Sequence, residues 1–321
     1  MVAAGAGVGG GHLSRSMALA EKFVESKGVA PVFCAEGLNG TWEAELSKAN
    51  IDSIPWTKLE SVFPCAGGVV DGYNFSDQQY SVMRQNVDLL AKFCDHGQPE
   101  TDLDVVISLS SEVALAHGQT LLSGLMYAPV RKSFHAEYAL PVRFPAQHIV
   151  VTCGWHDSSN RTLRVIKALE NSDFRGFATV LIGDDAPHLR SLQNYITRSR
   201  RETEIKLITG ETDTSEWLKT ADLVIGLGGV SLLERLALGR PSLTIGGIPN
   251  QKYQIDTLVE AGATTLLEPQ VLEDPGLAAE RINTLLCDEE QLFRFANQGS
   301  QAVDGRGAKR LAQALIQKSQ E

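Results

Sequence analysis

Near its start the chain carries a glycine run that ends in a histidine and an arginine, Gly5-Ala-Gly-Val-Gly-Gly-Gly-His12-Leu-Ser-Arg15. Glycines let a backbone turn sharply and let a ligand approach it closely. A helix beginning just after them would offer unpaired N–H groups and the positive end of its dipole, which suit a phosphate or a developing anion. An imidazole placed there is a candidate for proton transfer. Further on, Asp71-Gly-Tyr73 brings a carboxylate able to fix an imidazole tautomer and a phenol able to hold a sugar. The same triplet is also simply a good turn.

A second glycine turn, Gly226-Leu-Gly-Gly-Val-Ser231-Leu-Leu-Glu234, follows an apolar run and opens another helix. Its first-turn N–H groups and the Ser231 hydroxyl suit phosphate oxygens. Glu234, one turn in, can accept both hydroxyls of a ribose or merely offset the helix N-terminus. Arg235 and Arg240 read as solvent-facing or structural. Gly154, within Cys153-Gly-Trp-His-Asp157, leaves room for a diphosphate, and Asn250-Gln251 can read a base or sugar hydroxyls or cap a helix. Gly5-x-Gly7-x-x-Gly10 also meets the spacing of a dinucleotide fingerprint, with Glu36 as its ribose ligand, although the run continues through Gly11 and His12.

Strand-like and helix-like segments alternate along the whole chain, which predicts an α/β architecture with parallel sheets. Helices are expected at Leu13–Lys27 and Thr41–Lys48, and across Asp77–Phe93, whose apolar spacing is helical. Strands are expected at Pro31–Ala35, at Gly68–Val70 and at Leu103–Ile107. The pattern restarts with strands at Ile149–Thr152, Thr179–Ile182, Ile205–Ile208, Leu223–Ile225 and Ser242–Ile245. The proline-bearing stretch 135–148 reads as a connection between an N-terminal Rossmann-like domain, 1–138, and a C-terminal one, 148–321. The last helix is expected to pack back on the first domain. In such folds ligands sit beyond the carboxyl ends of the strands, where these glycine turns fall.

The 321 residues are 43% hydrophobic and 21% charged with a net charge of −10, an ordinary globular composition that argues against a broad nucleic-acid or anionic-membrane footprint. The five cysteines are scattered without a C-x-x-C pair, as expected of reduced thiols in a cytoplasmic protein. No apolar run approaches the ~20 residues of a membrane span, and no secretory signal pattern opens the chain. Only four residues precede Gly5, so the first strand is either stubby or continued upstream of Met1. A monomer is expected.

Taken in order, the motifs resemble one family. Gly9-x-Gly11-His12-x-x-Arg15 with Leu19-Ala20, Val69-Val-Asp71-Gly-Tyr73-Asn-Phe75 and Gly124-x-x-Tyr127-Ala-x-x-Arg131-x-x-Phe134 are similar to the PseG/SpsG-like nucleotide-sugar hydrolases of pseudaminic acid biosynthesis. So are Val151-Thr-Cys-Gly154-x-x-Asp157-x-x-Asn160-x-Thr162-Leu163, Ala221-Asp222-Leu-Val-Ile225, Gly228-Gly-x-Ser231-x-x-Glu234, Asn250-Gln251 and Val303-Asp-Gly-Arg-Gly-Ala308-x-Arg310.

The resemblance implies a glycosyltransferase-B-like architecture, two Rossmann-like domains facing a central cleft, with UDP held mainly by the second. It implies inverting, metal-independent hydrolysis of a UDP-linked amino-deoxy sugar at its anomeric carbon, without a cofactor. Under it His12 activates the attacking water beside Asp71 and Tyr73, while Gly11, Arg15, Gly154, Gly229, Ser231, Glu234, Asn250 and Gln251 bind substrate and UDP. The chain departs from the family pattern at Trp155-His156 (Gly-Ser in the family), at Ser108-Leu-Ser-Ser111 (an Asn-Gln-Asn-like element) and at Leu233 (an aromatic). Two alternatives stay open: a glycosyltransferase of the same fold using a UDP-sugar donor, and a non-catalytic nucleotide-sugar-binding protein.

Overall fold

The computed structural model describes residues 2, 10–38, 40–73, 75–95, 99, 102–110, 113–198 and 203–321. Gly5, Gly7, Gly9 and Ser111 lie outside the described residues. The chain divides into two compact units, one of Met1–Arg131 with Arg306–Glu321 and one of Lys132–Gly305.

In the first unit, strands β1 (Val32–Cys34) and β2 (Asp52–Ile54) pair in parallel. Strands β3 (Cys65–Val70), β4 (Val87–Phe93), β5 (Val105–Ser108) and β6 (Thr120–Ser123) form a second parallel array in that order. Val2 bridges Ala35 on one side and Asp71 on the other, and its N–H donates to Cys34 O at 2.9 Å. The chain therefore runs outward to β2 on one side of Val2 and to β6 on the other. That reversal is the topological switch point, where the carboxyl ends of neighbouring strands diverge and a ligand finds room.

Two sequence expectations change here. The first helix spans Gly10–Val24, so Gly11 and His12 lie within its first turn rather than before it. The helix expected over 77–93 ends at Asn86, opened by a capping box between Ser76 and Gln79, and Val87–Phe93 is strand β4. Leu89, Leu90, Ala91 and Phe93 are buried. A strand covered on both faces reads as a continuous apolar run, which periodicity alone does not separate from a buried helix.

The C-terminal helix Gly307–Lys318 belongs to the first unit, where Leu311, Ala312 and Leu315 share a core with Leu19, Phe93 and Ile107. Its entry is tight, since a Cβ on Gly307 would lie 2.0 Å from Ala128 O. Gly307→Ala is expected to cost about 1–3 kcal/mol through overpacking, read as a lowered urea midpoint with an unchanged slope.

The second unit holds strands β7 (His148–Thr152), β8 (Phe177–Ile182), β9 (Glu204–Thr209), β10 (Leu223–Leu227), β11 (Ser242–Ile245) and β12 (Thr265–Leu267). They form one parallel sheet in the order β12-β11-β10-β7-β8-β9. This is the doubly wound order, with its switch point between β7 and β10. Gly226 stands opposite Thr152 there, and a Cβ on it would lie 2.3 Å from Thr152 O.

His148 is buried in this sheet, stacked on Phe177 with ring centroids 4.2 Å apart. Its Nε2 lies 2.9 Å from Thr179 Oγ1, and burial pushes its pKa down. The folded state thus takes up the proton less readily than the unfolded chain, whose imidazole titrates near about 6.5. Stability from this site is complete above that pH and is lost as the pH falls through the lower folded value. Melting temperatures measured from neutral to mildly acidic pH should fall for the native chain and fall less for His148→Gln.

Candidate functional site

Four side chains meet at the switch point of the first unit. His12 comes from the first turn of helix Gly10–Val24, Arg15 from the next turn, Asp71 follows β3, and Asp95 follows β4. The His12 Nδ1 atom lies 2.6 Å from Asp71 Oδ1. Arg15 grips Asp71 with a fork, Nε to Oδ2 at 2.7 Å and Nη2 to Oδ1 at 2.6 Å. The same guanidinium forks Asp95, Nη1 to Oδ1 at 2.6 Å and Nη2 to Oδ2 at 2.9 Å. Ser16 Oγ donates to Asp71 Oδ2 at 2.8 Å, and Arg15 also lies over the Phe93 ring, 4.7 Å from its centroid.

Electrostatics keep the two carboxylates of this cluster ionised. Burial alone would push the Asp71 carboxyl up, but the charge and hydrogen bonds of Arg15, with the hydrogen bond of His12, outweigh it and hold it well below the usual carboxylate range. Asp95 is lowered in the same way, burial being overcome by Arg15 and by the Tyr73 hydroxyl. An ionised carboxylate only accepts hydrogen bonds, so the proton between His12 and Asp71 sits on Nδ1. In the neutral imidazole this leaves Nε2 with its lone pair, as a general base requires. Tyr73, 46% exposed, meets the His12 ring edge-on at 4.9 Å and donates its hydroxyl hydrogen to Asp95 Oδ2 at 2.6 Å.

Of the residues singled out in this unit, His12, Asp71 and Tyr73 are thus brought together. Arg15 takes a different part from the ligand contact expected of it. Buried and doubly forked, it fixes the two carboxylates. Glu36, weighed as a ribose ligand, accepts the backbone N–H of Trp56 at 3.1 Å. Asp95 went unnoticed in the sequence. Its signal was its place two residues beyond a buried parallel strand, obscured by reading that strand as helix.

The second group lies at the switch point of the other unit. Gly154 follows β7 with φ +89°, and Gly228-Gly229 follow β10, opening helix Val230–Ala237. Ser231 and the buried Glu234 lie in that helix. Gly229, with φ +75°, does not offer its N–H to a ligand, because that group donates to Gln254 Oε1 at 2.6 Å while Gln254 Nε2 donates back to Gly229 O at 3.1 Å. A helix leaves its first N–H groups without intrahelical acceptors. Val230 and Ser231 therefore present first-turn N–H donors of the kind expected of this helix.

Asn250 and Gln251 occupy the 3-10 turn Pro249–Gln251, and Gln251 makes no capping bond to the helix Lys252–Glu260 that follows. Its amide instead packs on the glycine turn, where a Cβ on Gly229 would lie 2.9 Å from Gln251 Nε2. Gln251 Oε1 is buried without a hydrogen-bond partner among the described residues. Asp157 is structural, accepting the N–H groups of Arg161 and Thr162 at 2.8 and 2.9 Å at the start of helix Arg161–Asn171. Trp155 is accommodated by Gly183, where a Cβ would lie 2.5 Å from the indole, and donates to Asp185 at 2.7 Å. Arg235 and Arg240 are both buried rather than solvent-facing. Among the described residues, no group of three or more His, Cys, Asp or Glu is arranged to hold a metal ion, and no helix is long and apolar enough to cross a membrane.

No protein-family model matches the chain. It is 22% identical over 193 residues to the spore coat polysaccharide biosynthesis protein SpsG of Bacillus subtilis, a match that covers 60% of this chain and 56% of SpsG. It thus spans little more than half the length of that relative. Among solved structures it is similar to MurG of Acinetobacter baumannii, with a TM-score of 0.65 at 13% identity over 98% of each chain. It is also similar to HepE of Anabaena in complex with UDP and glucose, with a TM-score of 0.64 at 14% identity over 98% of each chain. Over nearly its whole length the chain therefore has the glycosyltransferase-B architecture, two Rossmann-like α/β domains built on parallel sheets.

Proposed function

We propose that this protein hydrolyses the anomeric sugar–phosphate bond of a UDP-linked amino-deoxy sugar, releasing UDP and free sugar for nonulosonic-acid or surface-polysaccharide biosynthesis. The observation that carries the reading is the His12–Asp71 pair at 2.6 Å, with Asp71 held ionised by Arg15. It leaves an oriented imidazole with one basic nitrogen beside a phenol. The similarity to SpsG, a polysaccharide biosynthesis protein, agrees with it.

In this reading His12 Nε2 accepts a proton from water as the water oxygen bonds to the anomeric carbon. The bond from that carbon to the phosphate oxygen breaks, and UDP departs with the electron pair. One displacement inverts the anomeric centre. The developing charge on UDP is met by the N–H groups of Val230 and Ser231, with Gly154 leaving space for the diphosphate. Glu234, Asn250 and Gln251 hold the nucleoside, and the unpartnered Gln251 Oε1 is an acceptor ready for a ribose hydroxyl or a uracil N–H. The protein works in the cytoplasm as a monomer, its cysteines all unpaired among the described residues.

Transfer to an acceptor is the second reading, favoured by fold neighbours such as the glycosyltransferase of Rickettsia africae and the spinosyn rhamnosyltransferase SpnG. Incubating the full chain with a panel of UDP-sugars in buffer alone separates the two. Free sugar and UDP in equal amounts, without acceptor, are expected. Release that appears only when an acceptor is added establishes the transferase, and nucleotide binding without turnover of any panel member establishes a binding protein.

A further inference from the structure

Arg235 lies wholly inside the second unit, 0% exposed, yet only neutral groups accept its hydrogen bonds. Its Nε donates to Ser242 Oγ at 3.0 Å and its Nη1 to Leu227 O at 2.8 Å. Its Nη2 donates to Gly226 O at 3.3 Å and to Thr244 Oγ1 at 3.2 Å. Among the described residues no carboxylate forms an ion pair with it. Glu234, its chain neighbour, acts on it only through space, and Cys153 stays neutral because burial pushes its thiol up to about 12. A buried charge is ordinarily paired, since the interior solvates it poorly. This one is not, and it sits directly beneath the turn assigned to the diphosphate.

We infer that Arg235 is the fixed counter-charge of the nucleotide's diphosphate, acting through space from beneath the glycine turn rather than by contact. The guanidinium charge is weakly screened, because it lies in a buried, low-dielectric setting. That matters more here than at an ordinary glycine turn, because Gln254 already occupies the Gly229 N–H. Arg235 is therefore a positioning residue that favours the ligand in proportion to its negative charge. The inference rests on the nucleotide reading of this unit.

The test uses the full chain with UDP, uridine and inorganic pyrophosphate as probes, in calorimetric titrations and thermal melts. Arg235→Gln is expected to weaken UDP binding by about tenfold or more while uridine binding is unchanged, and Arg235→Lys should recover most of the loss. The double variant Ser242→Ala with Thr244→Val removes two neutral partners but keeps the charge, so it should retain the native ratio of UDP to uridine affinity even if it melts earlier. Equal loss of UDP and uridine in Arg235→Gln, loss of neither, or the same ratio change in the double variant would each overturn the inference. If Arg235→Gln does not fold, Arg235→Met, which also removes the charge, takes its place with the same expected and overturning results. A native chain that binds neither UDP nor uridine removes the nucleotide reading. The pyrophosphate arm then judges Arg235 separately. Stabilisation of the native chain and Arg235→Lys, but not Arg235→Gln, upholds it as an anion's counter-charge, and any other pattern overturns it.

Discussion

His12→Gln should lower the rate of sugar release by about 10²–10⁴-fold, the usual worth of a positioned general base, while UDP affinity changes little. The asymmetry follows from the division of labour. His12 belongs to the first unit and the nucleotide-binding residues to the second. Glutamine keeps a donor for Asp71 but has no basic nitrogen, so the loss would report on proton transfer and not on packing. Asp71→Asn should act in the same direction, because an amide no longer compels Nδ1 to carry the proton. Rates with one UDP-sugar, paired with UDP titrations of each variant, check both expectations.

Arg15→Met is expected to have the largest effect on stability. Asp71 is fully buried and the Asp95 side chain only 17% exposed, and one guanidinium pairs with both. Removing one partner of a buried ionic cluster ordinarily costs about 3–5 kcal/mol, because the remaining charge is left unpaired. The sign of the pH response should also reverse. In the native chain both carboxyls titrate below their unfolded value, so their stabilisation is complete above about pH 4 and is lost as the pH falls through the lower folded values. Without Arg15, burial would instead raise them, and the variant would gain stability on mild acidification. Denaturant curves for both chains at neutral and mildly acidic pH decide this, and parallel shifts in the two would contradict it.

Much of the architecture was legible because parallel sheets announce themselves as short apolar runs closed by glycines. Leu223–Ile225 before Gly226 and Ile149–Thr152 before Gly154 are examples, and both became neighbouring strands at a switch point. His12, Asp71 and Tyr73 could be suspected together because each follows a predicted strand end. Asp95 was hidden by a local ambiguity, as the run through Phe93 fits a buried helix and a buried strand equally well. Arg235 and Gln254 were hidden for another reason. Their roles arise from the packing of Ser242, Thr244 and Gly229 around them, which residue type and spacing do not encode.

The central claim is attack of water on the anomeric carbon, and isotope-labelled water tests it most directly. The full chain would be given a UDP-sugar that it turns over, in water enriched in oxygen-18, with both products examined by mass spectrometry. The account predicts the label on the anomeric hydroxyl of the free sugar and none in UDP. Label in UDP would mean that water attacks phosphorus, and no labelled sugar without an added acceptor would mean that water is not the acceptor; either result would contradict it.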